Sequence, residues 1–267
     1  MEPVPLNSSS NPLLKEFVKL QTSRRLRQKV GKIALEGPNL VDEALSAGLE
    51  AEAVFFNDEY YAYESKFITS RLSAGAGLYV MPINLFKKIS DTETPQPVAA
   101  IFKFERPGYG GILDPVPGLA VLLDRIQDPG NMGTMIRTAA AVGADTVYYT
   151  SGSTDPYGPK VLRATAGAVF HLRVEQVTDP FQLIFDLQQK GVQVAAAAAG
   201  AEKLYWQADF RPPSALVVGN EAGGVAEELL SRADLSVAIP QRGPVESLNA
   251  AVASAVILYE IVRQRSV

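Results

Sequence analysis

Cysteine is absent from this chain and histidine occurs once, as His171. Without them there is no disulfide, no thiolate nucleophile, no cysteine metal site and no histidine cluster. Zinc chemistry and a Ser-His-Asp triad are therefore disfavoured, and no metal is expected. Nucleotide fingerprints are missing as well. There is no G-x-x-x-x-G-K-[ST], and no G-x-G-x-x-G follows an apolar strand, which argues against P-loop hydrolysis and ordinary dinucleotide binding. No run approaches the roughly 20 unbroken apolar residues that span a bilayer. The opening MEPVPLNSSSNPLLKEF lacks the basic-then-apolar order of a signal peptide, so a cytoplasmic location and no membrane partner are expected. Excess positive charge is lacking too: 25 Lys and Arg against 29 Asp and Glu leave a formal charge of −4. The chain does not coat a polyanion by bulk electrostatics, and any such contact must be local.

What is present fits a folded protein of more than one part. At 267 residues, 47% hydrophobic and 20% charged, the chain exceeds one typical domain and is too apolar for general disorder, so a larger and a smaller unit are expected. A local basic segment exists: Lys15, Lys19, Arg24, Arg25, Arg27, Lys29 and Lys32 stand close together with Glu16 as their only acid. One reading is phosphate contact by Arg24, Arg25, Arg27 and Lys29, since each neutralised phosphate releases counterions. The other is the solvated face of an N-terminal helix.

Beyond this segment KIALEG, AEAVFF, GLYVM and PVAAIFKF read as strands, and PNLVDEALSAG and EYYAYESKFITSRL as helices, giving an α/β unit over residues 1–105. The segment 106–117, dense in Gly and Pro, reads as a linker. From 118 to 267 the fully apolar LAVLL leads through RIQDPGNMG to a helix MIRTAAAVG and the strand TVYYT. GVQVAAAAA, ALVVG and LSVAIP are further buried strands, and EELLSR and SLNAAVASAVILYEIVRQR are helices. Near-continuous Val, Leu, Ile and Ala runs suit a mostly parallel sheet covered on both faces. His171, in AVFHLRV, falls in a strand-like apolar run and reads as structural. Trp206 and the tyrosines of EYYAY read as packing.

In an open parallel sheet, ligands sit beyond the carboxyl ends of the strands, so the loops after the apolar strands carry the interest. Three stand out. DRIQDPGNMGTMIR places Asn131 and Gly133 at a turn and Arg137 one turn into the next helix. LVVGNEAGGV ends a strand with Gly219, Asn220 and Glu221. AIPQRGPVESLN brings Ser247, Leu248 and Asn249 to the start of the last helix. Glycine lets backbone approach a ligand closely, and Ser or Asn at a helix start caps amides or holds an anion. Arg137 and Glu221 are placed to meet across a shared site, with Glu221 orienting either Arg137 or Asn131 by charge-assisted bonds. By themselves these residues define a ligand-binding α/β domain with a basic appendage.

At these three loops the sequence resembles the SpoU family, also called the TrmH family, of RNA ribose 2′-O-methyltransferases. The first motif, N-x-G-x-x-x-R-x-A, is matched by Asn131, Gly133, Arg137 and Ala139; the second, G-N-E-x-x-G, by Gly219 through Gly224; the third by Ile239, Pro240, Ser247, Leu248 and Asn249. The resemblance covers the second domain, and R-R-L-R followed by A-L-E-G is similar, more loosely, to the family's substrate-binding domain. It implies a deep trefoil knot at the C-terminal end, a homodimer with sites near the subunit interface, and S-adenosylmethionine held by knot-loop backbone. By position it makes Gly219, Ile239 and Leu248 cofactor-binding, and Asn131, Arg137, Glu221, Ser247 and Asn249 the catalytic surroundings. Ribosomal RNA is the implied partner and substrate. The alternatives are a transfer-RNA ribose or RNA base methyltransferase, or an inactive RNA-binding protein of the same fold. Three positions depart from the pattern: Ala222 replaces a frequent Gly, Ala250 a frequent Val and Ala251 a frequent Ser.

Overall fold

The computed structural model describes residues 2–105, 108–111, 113–244 and 247–266. Three residues of the expected linker and two of the third loop therefore lie outside the described residues. The chain divides into two compact units, Met1–Arg106 with Tyr157–Phe170, and Pro107–Pro156 with His171–Val267.

The first unit runs β1 (Val4–Pro5), α1 (Pro12–Thr22), α2 (Arg24–Val30), β2 (Lys32–Glu36), α3 (Pro38–Ser46), β3 (Ala51–Asn57), α4 (Asp58–Glu64), α5 (Lys66–Thr69), β4 (Gly77–Met81), α6 (Ile83–Ile89) and β5 (Val98–Lys103). Its sheet has the order β1-β4-β3-β5-β2, parallel except where β5 pairs antiparallel with β2 and β3. The single helix expected over EYYAYESKFITSRL is two, broken at Ser65. Leu14, Phe17 and Leu20 on one face of α1 meet Phe55, Phe86 and Ile101 in the core. That spacing of three residues at 3.6 per turn is why α1 is amphipathic and why its lysines face out.

The second unit contains β6 (Leu119–Leu123), α7 (Pro129–Ala141), β7 (Thr146–Thr150), β8 (Arg173–Val177), α9 (Pro180–Gln189), β9 (Gln193–Ala197), β10 (Ser214–Val218), α10 (Glu227–Leu230), β11 (Leu235–Val237) and α11 (Ala250–Arg265). Between β7 and β8 the chain leaves to place α8 (Pro159–Thr165) in the first unit. All six strands are parallel, in the order β11-β9-β10-β6-β7-β8. Burial on both faces explains their unbroken apolar runs: every residue of β6 and of β10 is buried.

Strands β6 and β10 are neighbours, yet the chain leaves β6 toward β7 and leaves β10 toward β11 on the opposite side. This is the topological switch point, where departing connections open a crevice at the carboxyl ends of the strands. Register pairs Val218 with Leu123, so Gly219 and Asp124 emerge side by side there. The helix after β6 starts earlier than its sequence suggests. Asp128 is the N-cap and Pro129 opens α7, so Asn131 and Gly133 lie in its first turns rather than in a preceding turn. His171 likewise follows a short 3-10 turn and is exposed, and β8 begins only at Arg173.

Candidate active site

The polar side chains at the switch point form one directed chain of hydrogen bonds. Asp128 Oδ1 accepts from the Asn131 backbone N–H at 2.8 Å. Asn131 Nδ2 donates to Glu221 Oε1 at 2.6 Å, and Asn249 Nδ2 donates to Asn131 Oδ1 at 2.9 Å. Asn249 Oδ1 accepts from the N–H groups of Ala251 at 2.9 Å and Val252 at 3.2 Å, capping α11. Only a carbonyl oxygen satisfies those two donors, so the orientation of Asn249 is fixed, and with it that of Asn131. The chain ends on a carboxylate whose second oxygen, Oε2, has no hydrogen-bond partner among the described residues. Three segments far apart in sequence are thereby joined: the start of α7, the loop after β10 and the start of α11.

The loop after β10 turns back on itself. Asn220 Oδ1 accepts from Ala222 N at 3.1 Å and Gly223 N at 2.6 Å, and Gly224 N donates to Asn220 O at 3.0 Å. Gly219 permits the closure: a Cβ there would stand 1.9 Å from the Gly224 carbonyl carbon and 2.0 Å from the Val225 nitrogen. No other residue fits.

A cavity of about 460 Å³ opens beside this loop, within the size range of small-molecule sites, about 300–1,000 Å³. Its wall is mostly backbone and apolar side chains, with Asn220, Glu221, Gln241 and Ser247 as polar members: Ala197 to Gly200 after β9, Gly219 to Val225 after β10, Ile239 after β11, and Leu248 with Ala253 near the start of α11. The sequence had not singled out Ala197 to Gly200; small residues at a strand's carboxyl end were the available signal.

Of the residues singled out from sequence, Gly219, Glu221, Ile239, Ser247 and Leu248 line the cavity. Asn131 and Asn249 do not, but both join the hydrogen-bond chain that ends on Glu221. Arg137 does neither. It is exposed on α7 and makes no hydrogen bond or ion pair among the described residues, so the expected meeting with Glu221 is not made within the chain, where Asn131 takes that place.

The basic segment is less uniform than its sequence. Arg25 and Lys29, one helical turn apart on α2, are exposed, as are Lys15 and Lys19 on α1, while Arg24 is half-buried. Arg27 is only 5% exposed and donates from Nη1 to the Leu20 carbonyl and, at 2.9 Å, to the Gln21 carbonyl, tying down the end of α1. Its guanidinium is spent inside the unit, so Arg27 leaves the set of phosphate-contact candidates. Lys32 is held by Glu16 at 2.9 Å and Glu52 at 2.7 Å. Trp206 sits edge-on to Tyr205, with ring centroids 4.9 Å apart.

With this geometry in hand, known proteins give a consistent picture. Residues 118–259 match the model of the SpoU rRNA Methylase family, and residues 11–100 that of the MRM3-like substrate binding domain. The chain is 34% identical to the 23S rRNA (guanosine(2553)-2′-O)-methyltransferase RlmP of Bacillus subtilis, over 96% of this chain and 98% of that protein. The AdoMet-bound rRNA methyltransferase of Sinorhizobium meliloti superposes with a TM-score of 0.83 at 30% identity, covering 97% of each chain. The SpoU methyltransferase AviRb of Streptomyces viridochromogenes, in complex with AdoMet, gives a TM-score of 0.83 at 26% identity, over 96% of this chain and 99% of that one. Motifs, fold and near full-length similarity agree, and the chain belongs to the SpoU rRNA methylase family.

Proposed function

We propose that the protein transfers a methyl group from S-adenosylmethionine to a ribose 2′-hydroxyl of ribosomal RNA in the cytoplasm. The observation that carries this reading is the joining of a small-molecule cavity, at the carboxyl ends of β9, β10 and β11, to the Asn249–Asn131–Glu221 chain at its edge. The cavity suits the cofactor on its own terms. Gly219 offers backbone where any Cβ would collide, and Ile239 and Leu248 give apolar walls for a flat base. When bound, S-adenosylmethionine supplies an electrophilic methyl on a sulfonium. The knot implied by the motifs is part of this proposal, and the lining of one cavity by both the loop after β10 and the start of α11 supports it.

The protein's part is positioning and charge. Asn131 holds Glu221 by one oxygen, and the other is left to accept the hydrogen of a ribose hydroxyl. Asn249 orients Asn131 and cannot turn, because its own oxygen caps α11. Holding a hydroxyl in line this way is worth on the order of 7–11 kcal/mol of barrier in well-oriented systems. A guanidinium stays protonated at neutral pH, so Arg137 suits a clamp on the adjacent phosphate and a stabiliser of developing alkoxide charge better than a base.

Arg137 lies outside its own cavity, and this supports a homodimer in which it serves the partner's site. Helix α11 also leaves Val252 50% and Tyr259 55% exposed, seven residues apart on one face beside α7. Arg25 and Lys29, with Lys15 and Lys19, are the cations assigned to RNA phosphate. Methyl-labelled cofactor incubated with separated ribosomal and transfer RNA tests the substrate class. Label in ribosomal RNA supports the reading; label confined to transfer RNA replaces the substrate.

A further inference from the structure

We propose that Asp124, which none of the three motifs includes, is a positioning residue for the methyl-transfer site, acting by anchoring the base of the loop that carries Gly219 and Glu221; this rests on the function proposed above. Asp124 is the first residue after β6 and is 3% exposed. A buried carboxylate is costly unless its lone pairs are filled, and here they are filled from three directions. Arg125 Nε and Nη2 donate to it at 2.9–3.2 Å, Thr150 Oγ1 at 3.2 Å from the end of β7, and the backbone N–H of Ala226 at 3.1 Å from the exit of the loop. Its own N–H donates to the Val218 carbonyl at 2.8 Å, the last residue before the loop. Asp124 therefore grips both ends of residues 219–225, at the strand pair where the crevice opens.

Arg125 belongs to the same device. Its φ of +55° is a left-handed conformation that a non-glycine residue keeps only when its surroundings over-determine it. Those surroundings are the Thr150 hydroxyl, which accepts from Arg125 N at 2.9 Å, and the Asp124 carboxylate it faces. The twist points the guanidinium back along the chain toward Asp124 and, at 3.4 Å, the Gly224 carbonyl inside the loop. The Asp124–Arg125 ion pair thus holds the loop by three backbone contacts, at Val218, Gly224 and Ala226, while Asn131 fixes only its outer tip through Glu221.

Two substitutions cut the anchor from opposite sides. Asp124→Asn keeps the shape but turns one acceptor into a donor against Arg125 or Ala226. Ala226→Pro removes the backbone donor at a residue whose φ of −56° suits proline. Asp145→Asn is the control: that carboxylate accepts from Gly118 and Leu119 N–H at 2.8 and 3.0 Å, before and at the start of β6, away from the loop. Hydrogen exchange of the ligand-free protein is expected to show loop amides 219–225 exchanging about tenfold faster or more in both anchor variants and unchanged in the control. Titration calorimetry is expected to show S-adenosylmethionine bound about tenfold or more weakly by the same two, with the control like wild type. A lowered melting temperature with wild-type loop exchange and wild-type cofactor affinity in Asp124→Asn overturns the proposal. Faster exchange in a protein whose wild type binds no S-adenosylmethionine would leave the anchor standing as a structural feature and overturn its role in methyl transfer.

Discussion

Replacing Gly219 by alanine tests the cavity wall most sharply. The added Cβ would meet the Gly224 carbonyl carbon at 1.9 Å, where ordinary contact begins at 3.4 Å, a deficit of 3.4 − 1.9 = 1.5 Å against backbone that cannot rotate away as a side chain would. The loop must move by that order, and it carries Glu221 and a face of the cavity with it. Overpacking of this kind costs about 1–3 kcal/mol, which for a protein of this size lowers the melting temperature by about 2–12 °C. The displaced wall is expected to weaken S-adenosylmethionine binding by more than about tenfold, or roughly 1.4 kcal/mol. Gly118→Ala is the matched control, because it does not line the cavity and its Cβ would meet nothing closer than Asp145 Oδ2 at 3.6 Å. Calorimetric titration and thermal melts of the two variants read both quantities. Wild-type cofactor affinity in Gly219→Ala, or equal losses in both variants, would refute the reasoning.

Further expectations follow from the same contacts. Arg137→Ala should abolish turnover while leaving cofactor affinity nearly intact, and mixing it with Glu221→Gln should restore activity if the arginine serves the partner subunit; wild-type rates in Arg137→Ala would sink the assignment. Asn131→Ala leaves a carboxylate and an amide without their partner, and a hydrogen bond to a charge is worth about 1.5–3 kcal/mol, so kcat should fall by about one to two orders of magnitude. Arg25→Ala and Lys29→Ala should each flatten the salt dependence of RNA binding by about 0.7–0.9 in log-log slope with little change in melting temperature. Arg27→Ala should do the reverse, destabilising the first unit because Leu20 and Gln21 lose the donor at the end of α1.

Much of the second unit was legible because a parallel sheet buried on both faces writes its strands as apolar runs, and LAVLL, TVYYT and ALVVG appear where β6, β7 and β10 stand. The three loops were legible because glycine and asparagine after such runs are conspicuous. What the sequence hid was tertiary. Nothing local marks Tyr157–Phe170 as part of the first unit, and β8, with Glu175 and Gln176 at its centre, lacks the apolar run that exposed its neighbours. Arg27 is indistinguishable from Arg25 in a row of cations until helix geometry turns one inward and the other out. The partner of Glu221 also depends on geometry. Starting α7 at Pro129 brings Asn131, rather than Arg137, to its carboxylate.

The central claim is methyl transfer to a ribose hydroxyl, and identification of the labelled nucleoside tests it most directly. Ribosomal RNA incubated with the protein and methyl-labelled S-adenosylmethionine would be digested to nucleosides and resolved. The account predicts label in a 2′-O-methylated nucleoside, lost in Arg137→Ala; label on a base, or none despite measured cofactor binding, would contradict it.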